Sequence, residues 1–193
     1  MELHETADLL RSGKIGVIPT DTIYGLVASA TDSAAVERVY RVRGRDDGKP
    51  CIVLIADMAD LDRFIPSMSL SNPVTQWFGK WWPGKVSVIL PCPDEKWSYL
   101  HRGTGTIAFR VPDVPALREF LRMTGPLVAP SANPQGLPPA GTIAEAGAYF
   151  GDSVDFYVDG GILESVPSTL VRFDDGRPVV VRSGAVEISD HAV

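Results

Sequence analysis

Short apolar segments at irregular intervals constrain the fold of this chain more than any other feature of its sequence. Each has the length and residue types of a buried strand, and they are residues 15–18, 51–55, 86–90, 106–111, 127–129, 156–158, 169–173 and 179–182. Helices are predicted at residues 5–12, 57–65, 72–81, 114–123 and 142–150. One more helix is predicted to begin at a cap, either Thr31 or Asp32, and to end in the basic stretch RVRGR. Several connections are too short for helical crossovers, which favours a mixed sheet over a regular parallel one. The sequence therefore predicts an α/β fold with a twisted, open, mixed or mostly antiparallel sheet and flanking helices.

The overall composition narrows the class of protein. A chain of 193 residues with 45% hydrophobic side chains can bury a core, and we expect one domain or two closely merged lobes. The net charge of −6 repels phosphate, so contact with nucleic acid would need a local basic patch. No apolar run approaches the roughly 20 residues that span a bilayer, and the N-terminus does not have the pattern of a signal peptide. Cys51 and Cys92 form neither a disulfide framework nor a zinc motif. We therefore expect a cytoplasmic protein without a membrane segment.

The segment PTDTIYGL, from Pro19 to Leu26, places polar groups at the end of the first predicted strand. These groups are two threonine hydroxyls and a carboxylate, and Gly25 permits close approach of the backbone. Such a segment can belong to a site, but a polar turn is the commoner explanation when the segment is considered alone.

A basic stretch follows the second predicted helix. It carries five basic residues against two acidic ones, namely Arg38, Arg41, Arg43, Arg45 and Lys49 against Asp46 and Asp47. Arg43 and Arg45 could form a fork for phosphates, whereas the alternative interpretation is a solvated helix end that neutralises the helix dipole. The chain has no Walker loop and no GxGxxG motif. A bound nucleotide would therefore be held by side chains rather than by a glycine-rich loop.

The predicted strand TIAFRVP carries a cation among apolar residues. Because side chains alternate along a strand, Thr106, Ala108 and Arg110 share one face. An arginine in this position is usually a surface residue, and only a carboxylate or phosphate partner would give it a function.

Three further segments place hydroxyl, amide or cationic groups at the ends of predicted strands. The segment APSANPQGLPPAGT contains Ser131 and Asn133 and runs through prolines to Thr142, which suits a helix cap. The tripeptide PST at residues 167–169 precedes a strand, and RSG at residues 182–184 ends the last one. Each is explained equally well as an ordinary turn when taken alone.

In this order the segments resemble the YrdC/TsaC family: PTDTxYGL, a basic K/R-x-R element, PGxxxxxL, an AxRxP strand, PSAN, PST and a terminal VRxG. The resemblance covers residues 8–186. It implies the short form of the family, with a single domain over residues 1–186 and a tail over residues 187–193. Members of the family make L-threonylcarbamoyladenylate, the first intermediate of N6-threonylcarbamoyl modification of adenosine 37 in tRNA. The resemblance also implies an open α/β sheet with a large, concave, positively charged cavity.

The resemblance further implies which residues bind the substrates, which are ATP, L-threonine and bicarbonate or CO2. Threonine would be held by Thr22, Arg110, Ser131 and Ser168. ATP would be held by Arg43, Arg45, Lys49, Thr106, Asn133, Thr142 and Arg182, of which Arg43 and Arg45 are also expected to be catalytic. Mg²⁺ is expected to accompany the phosphates, without a protein residue assigned as its ligand. A downstream tRNA threonylcarbamoyltransferase complex would receive the product, and the protein could contact tRNA or double-stranded RNA directly.

The chain departs from the family pattern at three places. The usual Lys-x-Arg is Arg43-Gly44-Arg45 here, which keeps the charge but replaces an ammonium with a planar guanidinium. The usual PGPxT is PGKVS at residues 83–87, which keeps a hydroxyl and adds a cation. Leu54 lies where some relatives have a histidine, so no histidine role is expected.

Two other functions are compatible with the sequence. A non-catalytic protein that binds structured RNA could use the same concave basic face, through shape and charge. The second function is the formation of a carbamoyl-adenylate from carbamoyl phosphate, as in YrdC-like domains of hydrogenase maturation proteins. This chain has no zinc-finger or acylphosphatase segment, which argues against the second function.

Overall fold

A computed structural model describes residues 1–46, 48–65 and 72–188 of the chain. Within these residues, nine strands form one sheet in the order β7-β1-β2-β6-β3-β5-β4-β8-β9. They are β1 Gly16–Ile18, β2 Gly25–Ser29, β3 Ile52–Leu54, β4 Val86–Pro91, β5 Thr106–Arg110, β6 Leu127–Val128, β7 Phe156–Tyr157, β8 Thr169–Asp174 and β9 Arg177–Arg182. The pairs β1–β7, β3–β5 and β4–β8 are parallel, and the other pairs are antiparallel. The predicted mixed α/β fold is therefore confirmed.

The first helix precedes β1, and the other helices lie between strands in sequence. The helices are α1 Ala7–Arg11, α2 Ser33–Arg43, α3 Asn72–Trp81, α4 Ser98–His101, α5 Pro115–Thr124 and α6 Ile143–Phe150. Asp32, rather than Thr31, caps α2, because its Oδ1 accepts a hydrogen bond from the amide of Ala35 at 3.1 Å. Thr142 caps α6 through a capping box with Glu145. No helix in the described ranges combines the length and the apolar character that crossing a bilayer requires.

Three elements differ from the sequence prediction. β2 was not predicted, because all five of its residues are buried and its sequence lacks the alternation of a half-exposed strand. The helix predicted at 57–65 is a 3₁₀ helix over Met58–Arg63. The short helix α4 was also not predicted. Of the predicted C-terminal tail, residues 189–193 lie outside the described part of the chain.

The two faces of the sheet carry different apolar clusters. The larger cluster contains Ile107 and Phe109 of β5, and the smaller one contains residues of α1 and α5, such as Leu10 and Phe120. Because side chains alternate along β5, Ala108 and Arg110 lie on the face opposite Ile107 and Phe109. Ala108 and Arg110 line a cavity on that face.

Candidate functional site

The cavity has a volume of about 370 Å³ and a floor built from the sheet. Ala108 of β5 pairs in register with Ile52 of β3 on one side and with Ile89 of β4 on the other. These three side chains line the cavity and form an apolar row across its floor. The polar lining residues come from the ends of strands and from the segments between them. The floor can therefore accept an apolar group, while the surrounding segments supply hydrogen bonds.

Seven of the eleven residues predicted to bind substrates line this cavity. They are Thr22, Arg45, Thr106, Arg110, Ser131, Ser168 and Arg182. All four residues expected to bind threonine are among them. The remaining four do not line the cavity, and they are Arg43, Lys49, Asn133 and Thr142.

Arg110 is a buried cation in the cavity wall. Its Nη2 lies 3.1 Å from Oδ1 of Asp21, and its Nη1 donates a hydrogen bond of 3.3 Å to the Thr22 hydroxyl. Burial lowers the pKa of Arg110, the Asp21 carboxylate opposes that effect, and the charge of Arg182 adds to it. A buried guanidinium with free donor capacity is suited to bind a carboxylate.

Ser168 is held by contacts that explain two of the sequence motifs. Its hydroxyl shares a hydrogen bond of 2.8 Å with the hydroxyl of Ser87, and both side chains are buried. Its carbonyl oxygen accepts a hydrogen bond of 2.8 Å from Nη2 of Arg182. A Cβ at Gly184 would lie 2.3 Å from the carbonyl oxygen of Pro167, so only glycine permits this close approach. The PST and VRxG segments therefore pack against each other at the cavity.

Arg43 does not line the cavity, and its side chain contacts the PSAN segment. Its Nε donates to the carbonyl oxygen of Asn133 at 2.9 Å, and its Nη2 donates to Oδ1 of the same residue and to the Ser131 hydroxyl, each at 3.2 Å. Burial, with a smaller contribution from the charge of Arg45, lowers the pKa of Arg43 to about 10. Arg43 thus links the end of α2 to the segment that carries Ser131.

Arg45 faces the cavity, and Lys49 faces solvent. Nε and Nη2 of Arg45 donate to the carbonyl oxygens of Lys49 and Pro50, both at 2.9 Å. The Lys49 side chain is 63% exposed, and its ammonium lies 3.4 Å from Oδ2 of Asp46. Arg43 and Arg45 therefore have different hydrogen-bond partners in this structure, and their joint contact with phosphates stays a prediction.

Three arginines contribute side chains to the cavity lining. They are Arg45, Arg110 and Arg182, and no acidic side chain lines the cavity among the residues that the structure describes. Burial lowers the pKa of Arg182, and the nearby charge of Arg45 lowers it further. Cations that lie this close together favour an anionic ligand, because the ligand would relieve their repulsion.

Three residues at the site were not assigned by sequence reasoning. Asp21 was noted only as a carboxylate in its motif, Ser87 only as a retained hydroxyl, and Thr20 only as a hydroxyl of its segment. Thr20 lines the cavity and donates from its hydroxyl to the carbonyl oxygen of Ile23 at 2.6 Å. In the described ranges, no group of three or more His, Cys, Asp or Glu residues could hold a metal ion.

Comparisons with known proteins agree with the sequence motifs. The chain matches the sequence model of the family Sua5/yciO/yrdC, described as telomere recombination, over residues 8–184. It is 36% identical to the threonylcarbamoyl-AMP synthase of Bacillus subtilis strain 168 over 190 residues, which are 96% of this chain and 54% of that relative. The fold is similar to that of Pyrococcus abyssi Sua5 complexed with L-threonine, with a TM-score of 0.86 and 28% identity over 94% of this chain and 54% of that one.

Escherichia coli YciO is a second similar structure, with a TM-score of 0.85 and 27% identity over 97% of this chain and 91% of that one. The chain thus spans about half the length of the Bacillus and Pyrococcus relatives and most of the length of YciO. The matches extend over nearly all of the region in which the ordered motifs occur. From its motifs, its fold and these matches, the chain belongs to the Sua5/YciO/YrdC family.

Proposed function

We propose that this protein forms L-threonylcarbamoyladenylate and pyrophosphate from ATP, L-threonine and bicarbonate or CO2. The observation that carries the proposal is the convergence in one cavity of four residues from separate segments, Thr22, Arg110, Ser131 and Ser168. The name of the Bacillus relative and the threonine complex of the Pyrococcus relative support it. The product would serve N6-threonylcarbamoyl modification of adenosine 37 in tRNA.

In this proposal the cavity wall recognises both ends of L-threonine. The Arg110 guanidinium pairs with the α-carboxylate, because a buried cation with unused donors favours an anion. The hydroxyls of Thr22, Ser131 and Ser168 meet the polar groups of the substrate. The apolar row of Ile52, Ala108 and Ile89 is available to the γ-methyl group.

ATP is proposed to lie along the cationic part of the cavity. Arg45 and Arg182 would contact its phosphates, and Thr106 would supply a hydroxyl. Contacts of ATP with Lys49 and Thr142 remain predictions, as does the catalytic role of Arg43. Asn133 and Arg43 support Ser131 in this structure, and a direct contact of either with ATP also remains a prediction.

The proposed reaction needs no nucleophile from the protein. The neutral α-amine of threonine adds to CO2 and releases a proton to solvent to give a carbamate, or it reacts with bicarbonate to give the same carbamate and water. An oxygen of the carbamate attacks the α-phosphorus of ATP, the bond from that phosphorus to the bridging oxygen breaks, and pyrophosphate leaves with the electron pair. Arg45 and Arg182, which line the cavity, would stabilise the negative charge that develops on the phosphate oxygens. Mg²⁺ would arrive with ATP as part of the substrate.

The proposal has consequences for partners and location. The product is a mixed anhydride, and we propose that it passes to a tRNA threonylcarbamoyltransferase complex in the cytoplasm. We also propose that the protein contacts tRNA or double-stranded RNA directly. A further part of the proposal is that residues 1–186 alone form the catalytic domain. The names of the curated relatives do not favour the alternative of a non-catalytic RNA-binding protein.

Pyrophosphate release tests this proposal. Purified protein is expected to release pyrophosphate from ATP when both L-threonine and bicarbonate are present, and not when either is omitted. Serine should be a poor but measurable substrate, because the loss of a methyl contact costs only about 1–3 kcal/mol. Valine should react more slowly than serine, because it leaves buried hydrogen-bonding groups without partners. The assay compares the three amino acids at equal concentrations.

Two further arms of the same assay separate the alternatives. Carbamoyl phosphate in place of threonine and bicarbonate should not support release, and if it did, the carbamoyl-adenylate reaction would be the correct one. Equal release without threonine, or valine reacting faster than serine, would contradict the proposed substrate.

Arg45→Ala is expected to lower the ATP-dependent rate by roughly ten- to a hundredfold. The reason is the loss of a charge-assisted contact with the phosphates, each worth about 1.5–3 kcal/mol. Arg41→Ala is the matched control, since Arg41 belongs to the same basic stretch but is exposed and does not line the cavity. Steady-state kinetics with ATP varied should show the loss in the first variant only. Equal rates in both folded variants would contradict a role for Arg45 in binding ATP and would favour the interpretation of the basic stretch as a solvated helix end.

A further inference from the structure

Asp21 and Arg110 form an ion pair that spans the wall of the cavity. Oδ1 of Asp21 lies 3.1 Å from Nη2 of Arg110, and the side chains are 1% and 5% exposed. Arg110 lines the cavity, whereas Asp21 lines a second hollow of about 470 Å³, outside the cavity, together with Lys85 and Asp113. The carboxylate therefore lies behind the guanidinium as seen from the substrate cavity.

The two charged groups depend on each other. Among the described residues, Asp21 is the only acid that pairs with Arg110, and neither oxygen of its carboxylate accepts a directed hydrogen bond. Asp21 and Thr22 occupy Nη2 and Nη1 of the guanidinium. Nε is buried and has no hydrogen-bond partner within the described ranges. Arg110 is thus held at both terminal nitrogens, and the second N–H group of each is left for a ligand in the cavity that Arg110 lines.

The backbone that carries Asp21 is fixed on both sides. β1 and β2 pair antiparallel next to it, with Ile18 opposite Gly25. Within the connection, the Thr20 hydroxyl accepts a hydrogen bond from the amide of Thr22 at 3.2 Å. Asp21 therefore has a defined position from which it can orient Arg110.

We propose that Asp21 is a positioning residue, which orients and charge-compensates Arg110 for binding the α-carboxylate of L-threonine. The inference rests on the proposed function, because it concerns the same site. Asp21 does not contact the substrate, and its effect passes through Arg110. Without Asp21, the 3.3 Å contact with Thr22 would be the only polar side-chain contact left to the guanidinium among the described residues. Misplacement of a substrate-binding group by about 1 Å can cost two orders of magnitude in efficiency.

Asp21→Ala is expected to raise the KM for L-threonine by about ten- to a hundredfold, with a smaller change in the KM for ATP. Asp21→Asn should raise it by only about two- to tenfold, because the amide keeps the size of the side chain and a polar oxygen beside Nη2 while it removes the charge. Asp155→Asn is the control, since that carboxylate pairs with Lys14 and Arg38 and does not line the cavity. It should leave both KM values unchanged. The measurement is pyrophosphate release with each substrate varied, and far-UV circular dichroism confirms folding.

A double-mutant cycle separates positioning from a general loss of structure. If Asp21 acts through Arg110, Asp21→Ala should add little to the threonine KM of Arg110→Lys. Additive effects, an unchanged threonine KM in folded Asp21→Asn, or tighter threonine binding in that variant would overturn the inference. Tighter binding would mean that Asp21 competes with the substrate. Wild-type protein without threonine-dependent release would overturn the proposed function itself, which is a different result. If Asp21→Ala does not fold, Asp21→Asn supplies both the KM comparison and the cycle.

Discussion

Arg110→Ala is expected to reduce threonine-dependent pyrophosphate release by about a hundredfold or more and to lower the free energy of unfolding by about 3–5 kcal/mol. The activity is lost because the carboxylate of threonine loses its cation. Stability falls because Asp21, whose side chain is 1% exposed, is left as an unpaired buried charge. Pyrophosphate release with threonine varied and urea unfolding followed by circular dichroism measure the two effects.

The double variant Asp21→Ala/Arg110→Ala is the control for this prediction. It removes both charges, so it should recover part of the lost stability, but it should not recover activity. A threonine rate in Arg110→Ala equal to that of the wild type would show that the amino acid binds elsewhere. No recovery of stability in the double variant would show that the unpaired carboxylate is not the cause of the destabilisation.

Phe109→Ala is expected to lower the free energy of unfolding by about 3–5 kcal/mol while leaving the KM for threonine unchanged. Phe109 precedes Arg110 on β5, is fully buried, and lies on the opposite face of the sheet in the larger apolar cluster. Its ring centroid is 5.2 Å from that of Phe64, so truncation leaves a cavity between packed aromatic rings. Denaturant unfolding measures the first effect, and kinetics well below the unfolding transition measure the second.

Phe109→Leu provides a milder control, since it keeps most of the apolar volume and should cost less stability. A rise in the threonine KM of folded Phe109→Ala as large as that in Arg110→Ala would show that the two faces of β5 are coupled. Phe109 and Arg110 would then both affect threonine binding, although their side chains lie on opposite faces of the sheet.

Local sequence patterns predicted most of the fold, and the exceptions have physical causes. The alternation of β5 and the cap at Asp32 are local properties, and both are present in the structure. β2 was missed because Gly25–Ser29 is covered on both faces by other parts of the chain, and no short-range pattern records this. The 3₁₀ helix over Met58–Arg63 was predicted as an ordinary helix, because both have polar caps and similar apolar spacing.

The candidate site was predictable as a set of segments but not as a set of contacts. The ordered motifs indicated that Thr22 and Arg110 belong to one site, and the structure brings them together across 88 residues of sequence. Which carboxylate faces Arg110, and whether Arg43 faces the cavity or Asn133, depends on the packing of distant segments. Composition and local spacing do not predict that packing, so a role for Asp21 could not be inferred from the sequence alone.

The scattered origin of the cavity lining has a consequence for the order in which the protein folds. Val86 of β4 lies beside Thr169 of β8 in a parallel pair, so the segment with Ser168 reaches the cavity only after a long loop has closed. Pairings of this kind form slowly, since the entropy of closure must be lost before the contacts form. During synthesis, the lining residues between Pro167 and Arg182 leave the ribosome last, and the nascent chain has no complete binding site until then. A bound ligand, which at a hundred times its Kd adds about 2.7 kcal/mol, would accordingly stabilise the finished sheet rather than any early intermediate.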